Sequence, residues 1–394
     1  MISVNEAKDI IGKAVTPITS KRLPLQLAAG CVLAADVYAT TDIPNFRQSS
    51  MDGYAIIYKE GSVVYSLVGE MAAGATAQLN IEEGEAVRIF TGAPLPQGAD
   101  TVVMQEKVDV DNGKVILHDD PGLKRFQNVR DQGSEIKGGS FAMAKGTLLG
   151  AAAIGFLGTI GRAEVDVIPP PRVFLILTGN ELQEPGEVLA FGQVYEANSA
   201  MLSTALKQCG VSELKIMRVA DDLKLLEEAL GSALENADLV LLTGGVSVGD
   251  YDFVLAAARN AGVEQRFHRI KQKPGKPLYF GLKDQSVVFG LPGNPSSVLT
   301  CFYEYVLPAI GKMMGKKLDL QTSTATLTHS YAKVSGLTHF LKGHVVQGKV
   351  TPLHAQESYR LHSYAAANCL IVLDADAAFY DAGAEVEIHL IPDV

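Results

Sequence analysis

The spacing of apolar positions changes character several times along the chain. Near the start, Ser3 and Glu6 form an S-x-x-E capping box ahead of an apolar-periodic stretch from Ala7 to Val15, which predicts a short amphipathic helix. Across residues 49–135 the pattern becomes that of strands. Val63–Val68, Ala86–Phe90, Thr101–Met104 and Val115–Leu117 are short β-rich runs divided by turn residues, the last preceded by the turn signal Asp111-Asn112-Gly113. These runs predict a small all-β module inserted in the N-terminal part. The Gly146–Gly161 segment, rich in Gly and Ala, is expected to form a tightly packed, buried helix.

Three prolines at 169–171 mark a boundary. After them, strands alternate with helices. Val173–Leu177, Leu214–Val219 and Leu239–Leu242 are apolar strands, and Ala197–Gln208, Leu223–Leu234 and Phe253–Asn260 are helices, with Gly210 and Gly262 as stops. Such alternation implies βαβ units and a mostly parallel sheet covered on both faces. Pro277–Gly281 and Ser286–Gly290 suggest a hairpin, and Val298–Met313 a helix. Beyond residue 320 short strands return at Ala325–Leu327, Leu370–Val372 and Val386–Leu390. The expected fold class is multidomain α/β plus β. An N-terminal helical and linking region (1–48 with 136–168) carries the inserted β module at 49–135. A central α/β domain follows at 169–316, and a small β domain at 317–394.

Composition narrows the function classes. The 394 residues carry 34 basic and 44 acidic side chains, a net charge of −10. That balance lacks the basic field of a non-specific nucleic-acid binder, although a local anion site is compatible with it. The cysteines, Cys31, Cys209, Cys301 and Cys369, form no CxxC pair, which argues against zinc or redox motifs and fits a reducing compartment. No apolar run suits a signal peptide or a membrane span, so a soluble, cytoplasmic protein is expected.

Three loops carry the chemistry. In Leu239–Phe253 a buried strand ends in Thr243-Gly244-Gly245, and a loop with Ser247, Gly249, Asp250 and Asp252 leads into a helix. Glycines there let backbone amides approach an anion, and ligands of open α/β sheets bind beyond the carboxyl ends of the strands. An ordinary tight βα turn is the competing reading. In residues 266–277, five cations lie within eleven residues, and the Pro274-Gly275 turn can aim Lys273 and Lys276 at one tetrahedral oxyanion. A solvated strand face is the bland alternative. In residues 289–299, Pro292, Asn294, Ser296 and Ser297 open a helix, as a second anion pocket or as simple caps. Acids also follow three successive strands: Glu181, then Asp221 and Asp222, then Asp250 and Asp252. Such carboxylates can hold Mg²⁺ against a pyrophosphate, while Asp222 can equally be a helix N-cap.

Taken in order, NFRQSSMDGYA (45–55), FTGAPLP (90–96), residues 128–139, LTGNEL (177–182), GQVYEANS (192–199), residues 242–253, KPGKPL (273–278) and GLPGNPSS (290–297) resemble the molybdopterin molybdenumtransferase family, the MoeA type, which includes the C-terminal part of gephyrin. The resemblance covers essentially the whole chain. It implies a homodimer with four structural regions per subunit, the last a small β-barrel. It also implies Mg²⁺-dependent insertion of molybdate into adenylylated molybdopterin with release of AMP, with a molybdopterin adenylyltransferase and molybdoenzymes as pathway partners. Catalytic roles carry over to Asp52, Glu181, Asp221 and Asp252, with Glu181, Asp221 and Asp252 as the Mg²⁺ ligands. Substrate contacts carry over to Thr91, Arg130, Glu135, Thr243, Gly244, Gly245, Ser247, Gly249, Asp250, Lys273, Lys276, Pro292, Asn294, Ser297, Arg360 and Ser363. Asp52, Thr91, Arg130 and Glu135 would complete the site from the partner subunit. The chain departs from the family pattern at Glu135, commonly Asp, and at Leu337 and Lys342, commonly both Arg. A paralogue that carries molybdopterin without turnover is the alternative reading.

Overall fold

The structure, a computed structural model, describes residues 1–246 and 253–392. It divides into two compact units, one of residues 23–29 and 33–165, the other of residues 1–22, 30–32 and 166 onward.

The first unit is built on a six-stranded sheet. Its spatial order is Thr101–Met104, Gly53–Ile56, Glu85–Ile89, Val64–Met71, Lys114–Leu117 and Val108–Asp111. Alternation places Ala55, Val87, Ile89 and Val102 in one apolar cluster and Tyr54, Ile56, Ala86 and Val103 in another, so the central strands are covered on both faces. Asn112 and Gly113, at φ 47° and 74°, make the expected tight turn between Val108–Asp111 and Lys114–Leu117. The segment 146–161 departs from expectation. Its helix is confined to Ala151–Thr159, and of that helix only Leu157 is fully buried. Ile154 and Phe156 are only partly buried, and most of the Ala and Gly positions around them face outward.

The second unit holds the α/β sheet. Its strands in chain order are β1 (Val173–Thr178), β2 (Leu214–Val219), β3 (Leu239–Thr243), β4 (Glu264–Arg269), β5 (Pro277–Lys283) and β6 (Ser286–Leu291). In space they run β2-β1-β3-β6-β5-β4. The first four in space are parallel, and β5 pairs antiparallel with both β6 and β4. The β5–β6 hairpin is the expected one, and Asp284 takes φ 52° at its turn. β1 and β3 are buried throughout. Val173, Leu175 and Leu177 face a core shared with the helices Val4–Ala14, Asn198–Gln208 and Pro295–Met313. Phe174 and Ile176 face the helices Leu223–Asn236 and Val254–Asn260. Asp222 caps Leu223–Asn236 by accepting from the Leu225 amide at 3.0 Å. Ser3 and Glu6 form the expected capping box of Val4–Ala14.

The helix expected from Val298 begins at Pro295 and contains a π turn, Phe302–Val306, before continuing as Leu307–Met313. Residues 321–390 form mainly a closed β arrangement of Gln321–Leu327, Thr338–Val346, Lys349–Pro352, Cys369–Leu373 and Glu385–Leu390. The nine-residue strand Thr338–Val346, not anticipated from its mixed pattern, also pairs in parallel with Gln272–Lys273 of the α/β region. Among the described residues, no helix is long and apolar enough to cross a membrane.

Candidate functional site

Residues with the expected chemistry cluster separately in each unit. In the first, Gly53 opens a strand so close to Val103 that a Cβ would stand 1.9 Å from its carbonyl oxygen. Only glycine allows this approach, and it fixes Asp52 at the strand's exposed end. Gly53 pairs with Ile89, which brings the Thr91 loop alongside. The Thr91 backbone amide and hydroxyl both donate to the same Asp52 oxygen, each at 2.8 Å. These two bonds, with Arg88 nearby, hold the Asp52 carboxyl below the ordinary aspartate range. Arg130 lies on a two-residue strand paired with Gln48–Ser49, and Ser49 is bonded through its backbone to Gly92 and Ala93. The structure thus gathers Asp52, Thr91 and Arg130 around one short ladder. Glu135 is exposed, and its carboxylate makes no hydrogen bond or ion pair among the described residues.

In the second unit, the candidate residues cluster where β1, β3 and β6 end. Thr178 donates from its hydroxyl to the Thr243 carbonyl at 3.2 Å. A Cβ on Gly244 would lie 2.6 Å from the Thr178 carbonyl, and Gly244 and Gly245 take φ of 85° and 60°. Gly244 also approaches Gly293 after β6. Asn198 donates to the Gly293 carbonyl at 2.9 Å, while its own Oδ1 is buried without a partner. These loops meet at the strand ends where the sheet order reverses, between β1 and β3. Ser247, Gly249, Asp250 and Asp252 lie outside the described residues.

Glu181 and Asp221 follow the adjacent strands β1 and β2. Asn180 and Asp221 are joined by two reciprocal bonds, backbone amide to carboxylate at 3.2 Å and backbone amide to side-chain carbonyl at 3.1 Å. Glu181 is exposed, and its carboxylate makes no hydrogen bond or ion pair among the described residues. Among those residues, no three of His, Cys, Asp and Glu converge as a metal set.

The Lys273–Lys276 turn is held from within. Buried Gln272 donates to the carbonyls of Pro274 and Gly275 at 3.1 Å each, and Tyr305 donates to its Oε1. Gly275, at φ 83°, leaves no room for a Cβ beside Cys301 Sγ. Lys273 and Lys276 both remain exposed. Nearby, Asn294 donates to Ser358 Oγ at 3.0 Å, and the Ser296 amide to the Ser358 carbonyl at 3.2 Å. Pro292, Ser296 and Ser297 are buried, and Ser296 Oγ has no partner.

Arg360 is exposed and pairs with Glu357 at 3.5 Å, whereas Ser363 is buried and donates to the Ala355 carbonyl at 3.0 Å. Lys342 is buried too. Its ammonium donates to the Ala355 and Arg360 carbonyls at 2.7 and 2.9 Å and sits over the Tyr364 ring. It fastens the 355–360 loop, so its charge is spent on that loop's backbone. Sequence reasoning missed three residues: Asn198, buried Glu196, which accepts the Ser199 amide at 2.9 Å, and His339. His339 stands beside Lys273 in the parallel ladder, with Nδ1 buried and unpartnered. Burial, then Lys333 and Lys273, push its pKa down to about 4. The motif 192–199 contained the signal for Glu196 and Asn198.

Comparison with known proteins gives three family matches in chain order. Residues 2–161 match "MoeA N-terminal region (domain I and II)", residues 174–312 "Probable molybdopterin binding domain", and residues 324–391 "MoeA C-terminal region (domain IV)". A Staphylococcus epidermidis protein named molybdopterin molybdenumtransferase is 32% identical, covering 99% of this chain and 95% of its own. The Haemophilus influenzae protein of the same name is 33% identical, covering 99% and 98%. A solved structure titled molybdopterin biosynthesis moea protein, from Pyrococcus horikosii, has a TM-score of 0.81 at 28% identity and covers 99% of both chains.

The Asp52–Thr91 pair generates a test. Thr91→Val removes one of the two bonds to the carboxylate, so the Asp52 titration midpoint should move up toward the ordinary aspartate value. An NMR pH titration of the carboxylates checks this; an unmoved midpoint would show that the hydroxyl bond carries no weight.

Proposed function

Because the chain belongs to the MoeA family of molybdopterin molybdenumtransferases, we propose that it inserts molybdate into adenylylated molybdopterin and releases AMP, in molybdenum cofactor biosynthesis. One observation supports this reading above the others. The ends of β1 and β3 come together at Gly244, which leaves no room for a side chain beside Thr178, Asn198 ties down the Gly293 carbonyl after β6, and the exposed Lys273 and Lys276 stand on a turn in the same domain. Closely approaching glycine backbones suit phosphate oxygens, and two lysines on one rigid turn suit a tetrahedral dianion such as molybdate.

The chain's own residues divide the work. Thr243, Gly244 and Gly245, with Ser247, Gly249 and Asp250, would line the phosphate-binding loop. Lys273, Lys276 and Ser297 would hold the molybdate, and Pro292 and Asn294 shape the wall behind it. The bond from Asn294 to Ser358 ties this wall to the loop carrying Arg360 and Ser363. Asp52, kept ionised by Thr91, would act with Arg130 and Glu135 from a second subunit, so that the working form is a homodimer. Sedimentation at micromolar protein tests this: monomeric mass with full activity excludes the shared site.

Magnesium fits the donors present. Glu181 and Asp221 are hard oxygen ligands at adjacent strand ends, and Glu181 is otherwise uncommitted among the described residues. With Asp252 they would hold Mg²⁺, which supplies charge neutralisation at the pyrophosphate. The Asn180 backbone amide donates to the Asp221 carboxylate and so orients it, while the Asn180 side chain accepts from the Asp221 backbone amide.

Two assays test the reading. Protein mixed with adenylylated molybdopterin, Mg²⁺ and molybdate should release AMP in a molybdate-dependent manner, and tight binding without AMP would instead identify a carrier. Asp252→Asn should block release while sparing binding of the adenylylated pterin; wild-type kcat at saturating Mg²⁺ would remove Asp252 from the metal site.

Leu337 lies in the segment that resembles an arginine-bearing family motif, and Lys342 of that motif is engaged elsewhere. Leu337→Arg should therefore lower the molybdate concentration for half-maximal AMP release, by about tenfold to a hundredfold for one charge-assisted contact. Arg360→Ala should raise it. Should neither substitution move that concentration, the C-terminal domain takes no part in holding molybdate.

A further inference from the structure

A second charged cluster lies where three segments of the second unit meet. Glu304 sits in the π turn Phe302–Val306, with its side chain 1% exposed. Lys8, from the helix Val4–Ala14, reaches one of its oxygens at 2.6 Å. His389, from the last strand of the C-terminal domain, presents Nδ1 to the other at 2.7 Å. The His389 ring is itself buried, and its Nε2 lies 2.9 Å from Glu387, which is half-exposed. Its neighbours across the sheet are Thr322 and Leu370, which carry no charge.

This geometry fixes a protonation state. A neutral imidazole has one N–H and one lone pair. Here both ring nitrogens face carboxylate oxygens, and a carboxylate can only accept. Both nitrogens must then donate, so His389 is an imidazolium shared by two acids. The four groups sum to zero: Lys8 and His389 positive, Glu304 and Glu387 negative. Loss of the histidine proton sets a ring lone pair against a carboxylate and leaves the buried cluster with net negative charge. Glu304, His389 and Lys8 border an open cleft of about 1530 Å³, which gives solvent protons a path to them.

We infer that the Lys8–Glu304–His389 cluster is a proton-dependent latch that fastens the C-terminal β domain to the α/β domain and releases it as His389 loses its proton. The π turn fits this role. It inserts one residue into an otherwise regular helix, as such turns do at functional positions, and Glu304 lies in the middle of it.

The direction follows from the two titrations. Burial opposes the charged ring, but the bond and charge of Glu304, helped by Glu387, outweigh it, and the His389 pKa is raised. Its contribution is complete below the ordinary histidine value and is lost as pH rises through the raised one. Burial likewise opposes the Glu304 carboxylate, and His389 and Lys8 outweigh it, so that pKa is lowered. Its contribution is present above the ordinary glutamate value and is lost as pH falls through the lowered one. The latch holds between these limits and opens on the alkaline side by loss of the histidine proton.

Hydrogen exchange of the full-length protein tests this, read as protection factors for Glu385–Leu390 and Val4–Ala14 across pH 6 to 10, with Val173–Thr178 as the internal reference. In the wild type, protection of the first two should fall together through one titration step while the reference stays constant. His389→Gln should abolish the step. Glu387→Gln changes only a half-exposed side chain and leaves the fold intact; it should move the step to lower pH by a few tenths of a unit, the weight of one half-exposed ion pair. A wild-type profile without a step, or a step unmoved in both variants, overturns the latch.

Discussion

At the ends of β1 and β3 two backbones approach so closely that no side chain fits between them. The Thr178 carbonyl occupies the space a Cβ on Gly244 would need, and both strands are buried along their full length. Burial on both faces makes the strand positions stiff, and the missing side chain makes their ends meet. The remaining features of the α/β site follow. Gly293 comes within reach of Gly244, Asn198 ties the Gly293 carbonyl to the start of its helix, and Glu196 caps that helix from the preceding loop. A bulkier residue at Gly244 would push apart loops that come from three separate strands.

The cations of the second unit separate by burial. Lys273 and Lys276 are exposed on a turn whose carbonyls are held by Gln272, so their charge is available to a ligand. Lys342 and Lys333 are buried, and their ammonium groups are taken up by backbone carbonyls, of Ala355 and Arg360 in one case and of Leu337 and Ala375 in the other. Burial lowers the pKa of both. The same residue type is therefore left exposed on one side of the parallel ladder between Gln272–Lys273 and Thr338–His339 and serves as a structural tie on the other.

Much of this was legible in the sequence, and the exceptions have physical causes. The strands β1 and β3 were visible because each is a continuous apolar run, and the tight turn at Asn112-Gly113 because only those residue types accept its backbone. The multidomain α/β plus β class followed from the same alternation. The long strand Thr338–Val346 was hidden because Lys342 and His339 interrupt its apolar pattern while being buried in the fold. The exposure of Ala151–Thr159 was misjudged because most of its Ala and Gly positions, which suit close packing, in fact face outward, while its apolar side chains Ile154 and Phe156 are only partly covered. Of the candidate site, the close approach at Gly244 and the turn at Lys273–Lys276 were legible from residue type and spacing. His339 was not, since nothing in a lone histidine within a strand reveals that its Nδ1 will lack a partner.

The helix Val4–Ala14 has a timing consequence. Its buried face, Val4, Ala7 and Ile11, packs into the core shared with Pro295–Met313, and Lys8 finds Glu304 a full 296 residues later. A chain emerging from the ribosome presents this helix long before its binding surface exists. At ~5–20 residues per second the interval is about 15–60 s. Throughout it, the intervening residues 33–165 can complete a unit of their own, while the amphipathic helix stays unpaired. Translation speed, more than any local stability of the helix, sets how long that apolar stripe is open to other contacts.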